Sequence, residues 1–399
     1  EPNSSAHEEE VELNSSAHEE EVEPKSSAPE EASEEPSSPL AEFAQAFLDA
    51  ETLNKSDELS QQKDIPKVAS AFKYAVSKWR PRKPIHTAAV VSIYALMFFV
   101  LMVNTVGMLI PGFNLLLITY WAYILLMDKK ASCTSGRPKQ WLKNSGLWHL
   151  VASYFPMAIH PTTALDPSRK YIFGYHPHGI ISWGATVCFA TNGAGFREKF
   201  PGIDLRLLTL KVNFLVPFWR EFLLQLGICD VSKASIMNHL ARGPGSAVMI
   251  VVGGAEESLC AETGTYHLNL KNRKGFVKLA LREGASLVPV FSFGETDIFE
   301  VSGQSDGWVT RLQRLAKKKI GFTLPSFHGK GIWLAFGLLP FQTPMNIVVG
   351  RPVECPQVAE PSQEEIDLYH EKYMDEIFAI FNANKKVFGM TRREELRIH

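Results

Sequence analysis

The chain has 399 residues, 45% of them hydrophobic, with a formal charge of -2, enough to bury a sizeable core. Five cysteines, Cys133, Cys188, Cys229, Cys260 and Cys355, lie singly, which argues against a dense disulfide framework and a Cys-x-x-Cys metal site and for a reducing, cytosol-facing environment. The small net charge hides a division: residues 1–40 carry 13 Glu against one Lys, leaving about +10 on the rest, a balance suited to a membrane surface or a polyanionic small ligand.

In chain order, the first forty residues repeat themselves. The run from Asn3 to Leu13 recurs almost unchanged as Asn14 to Pro24, with a degraded copy from Lys25 to Glu35. With few apolar residues and a block of like charge, this stretch cannot offset its ordering entropy, so residues 1–65 are expected to be a disordered acidic repeat region. The acidic start carries no basic head followed by an apolar stretch, so no signal peptide is expected in it.

From Thr87 to Met127 there is no charged residue, interrupted only at Asn104, Gly107 and Ile110-Pro111-Gly112, where helix breakers call for a turn. Lys78, Arg80, Arg82 and Lys83 precede it and Lys129, Lys130, Arg137 and Lys139 follow, so residues 66–130 predict a membrane hairpin with both ends cytoplasmic. The first arm, Thr87 to Leu109, is long enough to span. The second, Phe113 to Met127, reaches only ~22 Å as a helix against a ~30 Å hydrocarbon core, so a re-entrant hairpin and two full crossings both stay open.

Beyond residue 150, β-rich runs alternate with helix-period runs, the pattern of an α/β fold, with the domain assigned to 131–399. Strands are expected at Lys170–Phe173, Leu205–Leu210, Ala247–Val252, Ser286–Phe293 and Asn346–Val349. Helices are expected at Ser182–Thr191, Phe214–Leu226, Ser235–Arg242, Lys274–Arg282 and Trp308–Lys318. A last one opens on the capping box Ser362-Gln-Glu-Glu365 and runs to Gly389.

Three segments carry chemistry. His176-Pro177-His178-Gly179 follows an apolar run, setting two imidazoles where a strand ends, and either could take a proton from an alcohol. Two satisfied polar side chains, or two legs of a metal site, would look alike; with no third or fourth ligand in any recognisable spacing, metal falls well down. Gly253-Gly254-Ala255-Glu256-Glu257-Ser258-Leu259 breaks a strand on a glycine pair with N–H groups for an anionic oxygen, and presents carboxylates that would either orient a histidine or cap the next helix. Lys271, Arg273 and Lys274 at the head of a helix suit phosphate, although a solvated basic face is commoner. No Gly-x-Ser-x-Gly elbow supplies a serine nucleophile.

Together with Tyr154-Phe155-Pro156 and Leu368-Tyr-His-Glu-Lys-Tyr373, these motifs resemble, in order and spacing, the type-2 diacylglycerol acyltransferases, from about Lys67 to Gly389. The resemblance implies a glycerolipid-acyltransferase-like α/β core and transfer of a fatty acyl group from acyl-coenzyme A to diacylglycerol. It implies the endoplasmic reticulum membrane, cytosolic face, and lipid droplets as the location. It makes His178 the base, His176 its partner and Glu257 the acid. Lys271, Arg273 and Lys274 would grip coenzyme phosphates, Gly253 and Gly254 are candidates for the oxyanion site, and Tyr154, Phe155 and Pro156 would shape the acyl pocket or simply pack. Acyl-CoA is a co-substrate; no further cofactor, no metal and no nucleic acid is expected, and homo-oligomerisation stays open. Monoacylglycerol or fatty alcohol as acceptor, and a non-catalytic lipid-droplet anchor, are the rival readings. The wider glycerolipid acyltransferases carry His-x4-Asp, which neither His176 nor His178 provides; His370 and Asp375 have the spacing but sit about 140° apart on a predicted helix.

Overall fold

The computed structural model describes residues 83–260, 265–301, 327–331, 337–388 and 395–399. The acidic repeats, the residues from 66 to 82 and the helix expected at Trp308–Lys318 lie outside the described residues. The charge-free stretch forms two helices, α1 (Pro84–Gly107) and α2 (Phe113–Leu126), with Pro84 in the first turn, where its missing N–H costs nothing. Between them the chain turns at Met108–Gly112, and Gly112 has φ +84°, a conformation glycine adopts without strain. Among the described residues, only α1 is long and apolar enough to cross a membrane; α2 has 14 residues, about 21 Å. Phe99, Leu101, Leu115, Leu116 and Leu126 are exposed along the pair.

Polar groups tie this helix pair to the remainder of the chain. Tyr120 donates to Glu221 Oε1 (2.8 Å), Trp121 Nε1 to the Leu215 carbonyl (2.8 Å) and Asn104 Nδ2 to the Pro217 carbonyl (3.2 Å). At the foot of α2, Asp128 accepts from Arg137 (2.5 Å) and from the buried Arg220 (2.7 Å), and these cations hold its carboxyl below the usual range. α1 also packs Ala89 and Val90 into the common core with Trp148 of α3 (Gly146–Tyr154).

The core is a seven-stranded mixed sheet. Its strands in chain order are β1 (Met157–Pro161), β2 (Tyr171–His176), β3 (Asp204–Thr209), β4 (Cys229–Asp230), β5 (Ser246–Val251), β7 (Ser286–Phe293) and β10 (Met345–Val349), in the spatial order β1-β10-β7-β2-β5-β3-β4. The strands β7, β2, β5, β3 and β4 run parallel, β10 is antiparallel to β7, and β1 is parallel to β10. Every residue of β2 and β7 is buried, which is why both read as continuous apolar runs. Four short strands complete the set as two separate pairs, β6 (His267–Leu268) with β11 (Arg397–Ile398) and β8 (Glu300–Val301) with β9 (Phe327–His328).

The two-residue period of β2 sends alternate side chains to opposite faces. Phe173 and Tyr175 meet Phe189, in a π-helical segment Thr186–Ala190 (centroids 6.3 and 6.2 Å), whereas His176 points to Tyr373 of the last helix, Gln363–Phe388. A Cβ on Gly174 would lie 2.0 Å from the Tyr373 hydroxyl, so that position admits only glycine. The expected capping box is present in both directions: Ser362 Oγ accepts from Glu365 N (3.2 Å) and Glu365 Oε2 from Ser362 N (2.8 Å).

Four expected strands fall within a residue of their places, while β2 continues three residues past its expected end, to His176. Strand β1 was not expected: Met-Ala-Ile-His-Pro has neither alternation nor a β-branched run, and it forms by pairing at the sheet edge with β10. The helix expected from Phe214 begins only at Trp219, because Pro217 disfavours helical backbone in the residue before it; Lys211–Leu215 is a 3₁₀ turn. In place of one α-helix over Ser182–Thr191 there is a short α-turn, Trp183–Ala185, followed by the π segment.

Candidate active site

The loops leaving the C-terminal ends of the adjacent parallel strands β2 and β5 meet, the position at which open α/β sheets bind ligands. His176 is the last residue of β2 and fully buried. Tyr373 donates its hydroxyl proton to the Gly174 carbonyl (3.1 Å), so it accepts from His176 Nε2–H (3.0 Å), which fixes that tautomer. His176 Nδ1 has no hydrogen-bond partner among the described residues, and burial pushes the imidazole pKa down to about 3. His176 stays neutral, and its ring meets Tyr373, so it joins β2 to the Gln363–Phe388 helix.

His178, two residues on, is half-buried. Its Nδ1 lies 3.1 Å from the Gly179 carbonyl and 2.7 Å from Ser258 Oγ, with Ser182 Oγ at 3.4 Å. A carbonyl can only accept, so Nδ1 carries the proton; Ser258 accepts too and turns its own hydroxyl toward the Gly254 carbonyl (3.5 Å). Nε2 then holds the lone pair, with no hydrogen-bond partner among the described residues. Burial lowers the pKa of this imidazole below its ordinary 6.5, so near neutrality it is a free base.

Glu257 differs from expectation. Its carboxylate meets the backbone of His178, not the ring: Oε1 accepts from His178 N and Oε2 from Asn269 N (2.9 Å). The reason lies in the helix Gly254–Cys260, where Glu257 and Ser258, adjacent in sequence, point about 100° apart, so Ser258 takes the ring and Glu257 the loop beneath it. Burial raises the Glu257 carboxyl to about 7. Gly253 is the glycine this packing requires, since a Cβ there would lie 2.1 Å from Glu257 Oε2, whereas Gly254, at φ +63°, faces open space.

The basic segment is partly neutralised. Arg273 pairs with Glu256 (2.5 Å) and Lys274 with Asp367 (2.7 Å), while Lys271 is exposed. Asn269 Nδ2 also binds Glu256 Oε2 (2.8 Å), so Arg273, Glu256, Asn269, Glu257 and the His178 backbone form one connected chain. Tyr154 and Phe155 are core residues: Tyr154 donates to the Pro340 carbonyl (2.6 Å), and Phe155 packs on Trp183 (5.6 Å) just after the His178 loop. Pro156, half-buried, leads into β1. His370 donates to the Leu270 carbonyl (3.1 Å), away from Asp375. Sequence reasoning missed Ser258 and Tyr373 as functional neighbours; both belong to motifs already singled out, and only the helix geometry shows which atom each one meets.

A site of this form, one free imidazole on a loop at the C-terminal edge of a largely parallel sheet, is built for proton transfer. Residues 107–399 match the family described as diacylglycerol acyltransferase. The chain is 44% identical over 287 residues to diacylglycerol O-acyltransferase 1 of Schizosaccharomyces pombe (70% of this chain, 83% of that one). It is 42% identical over 289 residues to human diacylglycerol O-acyltransferase 2 (71% and 74%), and 41% over 291 residues to bovine 2-acylglycerol O-acyltransferase 1 (71% and 87%). Among solved structures, the 1-acyl-sn-glycerophosphate acyltransferase of Thermotoga maritima overlaps 76% of this chain and 100% of its own at TM-score 0.33 and 14% identity, too distant to carry an argument. The chain belongs to the diacylglycerol acyltransferase family. It is an enzyme, an acyltransferase.

Proposed function

We propose that the enzyme converts diacylglycerol to triacylglycerol with acyl-coenzyme A as donor, and that His178 is the general base. The observation that carries this reading is the hydrogen bonding of Nδ1, which commits the ring proton to Gly179 and Ser258 and leaves Nε2 unprotonated. Nε2 takes the proton of the lipid hydroxyl as its oxygen attacks the thioester carbonyl. The tetrahedral intermediate collapses with loss of coenzyme A thiolate, whose thiol pKa is ~8.5, and the proton passes from Nε2 to the thiolate, restoring the base. No covalent enzyme intermediate is needed. Glu257 sets the height of His178 through its backbone, and His176 with Tyr373 fixes the strand end from which the loop departs. N–H groups near Gly179 and at Gly253-Gly254 are candidates for the oxyanion site.

Coenzyme phosphates would be drawn by Lys271 and would displace Glu256 and Asp367 from Arg273 and Lys274. The apolar pair α1–α2 would hold the site against the cytosolic face of the endoplasmic reticulum or a lipid droplet, where a neutral lipid enters sideways. Monoacylglycerol is the second reading, favoured by the 41% identity to the bovine 2-acylglycerol enzyme. The test is detergent-purified protein with labelled oleoyl-coenzyme A and, separately, diacylglycerol, monoacylglycerol and hexadecanol, beside His178→Ala. Triacylglycerol as main product, lost in the variant, supports reaction and base together. Monoacylglycerol as the preferred acceptor moves the second reading to first place, and substantial turnover in His178→Ala refutes the base.

A further inference from the structure

We propose that Glu295, in the loop after β7, is a second positioning residue for the reaction, holding the catalytic loop from the side opposite Glu257. The proposal rests on the reading of His178 as the base. Glu295 is 1% exposed and lies where the third parallel strand, β7, delivers its C-terminal loop beside those of β2 and β5. Its Oε2 accepts from the Tyr175 hydroxyl (2.5 Å) and from Gly184 N–H (3.1 Å), joining the penultimate residue of β2 to the helical turn that follows the His178 loop. The segment between these anchors contains His178, which Glu257 and Ser258 hold from the β5 side; beyond His178, Ser182 Oγ donates back to the His178 carbonyl (2.7 Å), an internal tie.

Close packing makes the support rigid. Gly179 lies directly on Glu295: a Cβ at Gly179, which has φ +59°, would come 2.9 Å from Glu295 Cγ and 3.0 Å from its carbonyl oxygen. At Gly184 a Cβ would meet the Tyr175 hydroxyl at 2.1 Å and Glu295 Oε2 at 2.6 Å. These two glycines, one next to His178 and one just past the loop's end, are thus the positions at which the chain comes down onto this one glutamate. Glu257 holds His178 N from the β5 side and Glu295 holds the far end of the loop from the β7 side, so the imidazole sits between two buried supports.

The hydrogen bonds from Tyr175 and Gly184 converge on a single oxygen, Oε2, with Trp183 N–H and Ser292 also beside the carboxyl group. An amide oxygen can receive the same two hydrogen bonds, and burial already pushes the Glu295 carboxyl up to about 7, so the support does not require a negative charge. Glu295→Gln is therefore expected to keep kcat within about threefold of the parent, and Glu295→Ala to lower kcat at least about thirtyfold while KM for oleoyl-coenzyme A moves less than about twofold, as for loss of orientation at the reacting atoms.

The experiment compares detergent-purified full-length chain as wild type, Glu295→Gln, Glu295→Ala, Tyr175→Phe, His178→Ala and Leu240→Ala. The last is a fully buried position in the helix Lys233–Leu240, remote from the loop, and serves as a control for lost stability. Rates are normalised to the protease-resistant, folded fraction. Support is loss of kcat in Glu295→Ala that exceeds the loss in Leu240→Ala, rescue by Gln, and a smaller loss in Tyr175→Phe, which removes one donor without opening a large cavity. Glu295→Ala with wild-type kcat overturns the proposal. So does a Gln variant as inactive as Ala, which would assign the carboxylate itself to the chemistry, or a loss in Glu295→Ala equal to that in Leu240→Ala. If Glu295→Ala does not fold, Gln and Tyr175→Phe decide: wild-type kcat in Tyr175→Phe, or an inactive Gln variant, overturns it. High turnover in His178→Ala refutes the base instead, and is read separately.

Discussion

Replacing Glu257 by Gln tests whether the carboxylate acts on the His178 backbone or on its ring. The two oxygens accept from two backbone N–H groups, those of the half-buried His178 and Asn269, beside the helix Gly254–Cys260. Gln keeps one acceptor and turns an NH₂ toward the second donor, so one part-buried N–H is left unsatisfied. That omission costs about 1–3 kcal/mol. If the cost falls on the transition state, in which His178 must meet the hydroxyl and the thioester together, kcat drops about 5- to 150-fold at 1.4 kcal/mol per decade. Initial rates of labelled acyl transfer at saturating diacylglycerol, with the pH profile of kcat/KM, measure both effects. A carboxylate touching the ring would raise its pKa, so Gln would move the acidic limb to lower pH; a carboxylate touching only the backbone leaves the limb where it is. A kcat within twofold of wild type, or a limb displaced by a full pH unit, refutes the reasoning.

The remaining predictions are direct. His178→Ala removes the base and should abolish transfer while the protein stays in the membrane fraction, as measured by labelled triacylglycerol and by flotation. Ser258→Ala deletes the nearest oxygen to Nδ1–H, a loss of about 1 kcal/mol, and should lower kcat roughly fivefold. Because burial lowers the His178 pKa, wild-type kcat/KM should stay flat as pH falls through 6.5 and decline only below it, when Nε2 takes a proton. Glu257 binds its proton more tightly folded than unfolded, so its contribution is fully present below about 4.5 and lost as pH rises through about 7; Glu257→Gln should lose less stability than wild type between pH 5 and 8, by up to about 3 kcal/mol in chemical denaturation. Gly107→Val should force the α1–α2 contact apart, since a Cβ there lies 2.4 Å from the Phe113 ring, and lower the unfolding temperature.

The sequence was legible where one local rule decides the outcome. Buried parallel strands announce themselves as apolar runs, and β7 was readable to the residue. Ser362-Gln-Glu-Glu365 specified its own cap. His178 could be found because a strand end followed by proline and glycine is a short-range signal. What could not be read depends on residues distant in sequence. The partner of His176 is Tyr373, 197 residues away, and the partner of Lys274 is Asp367, 93 residues away. Glu295 sits in no pattern of charge or spacing. Glu257 was visible as a carboxylate that could serve a histidine, but the assignment of Ser258 to the ring and Glu257 to the backbone follows from a helical rotation that the letters do not display.

Tyr373 has a consequence for the order in which the protein becomes competent. The paired helices α1 and α2 leave the ribosome early, more than two hundred residues before the Gln363–Phe388 helix. Until that helix arrives, nothing occupies the space above Gly174, and His176 lacks its one partner. A nascent chain therefore stays inert until the Gln363–Phe388 helix has docked. Chains that stop ahead of Tyr373 should be inactive in the transfer assay.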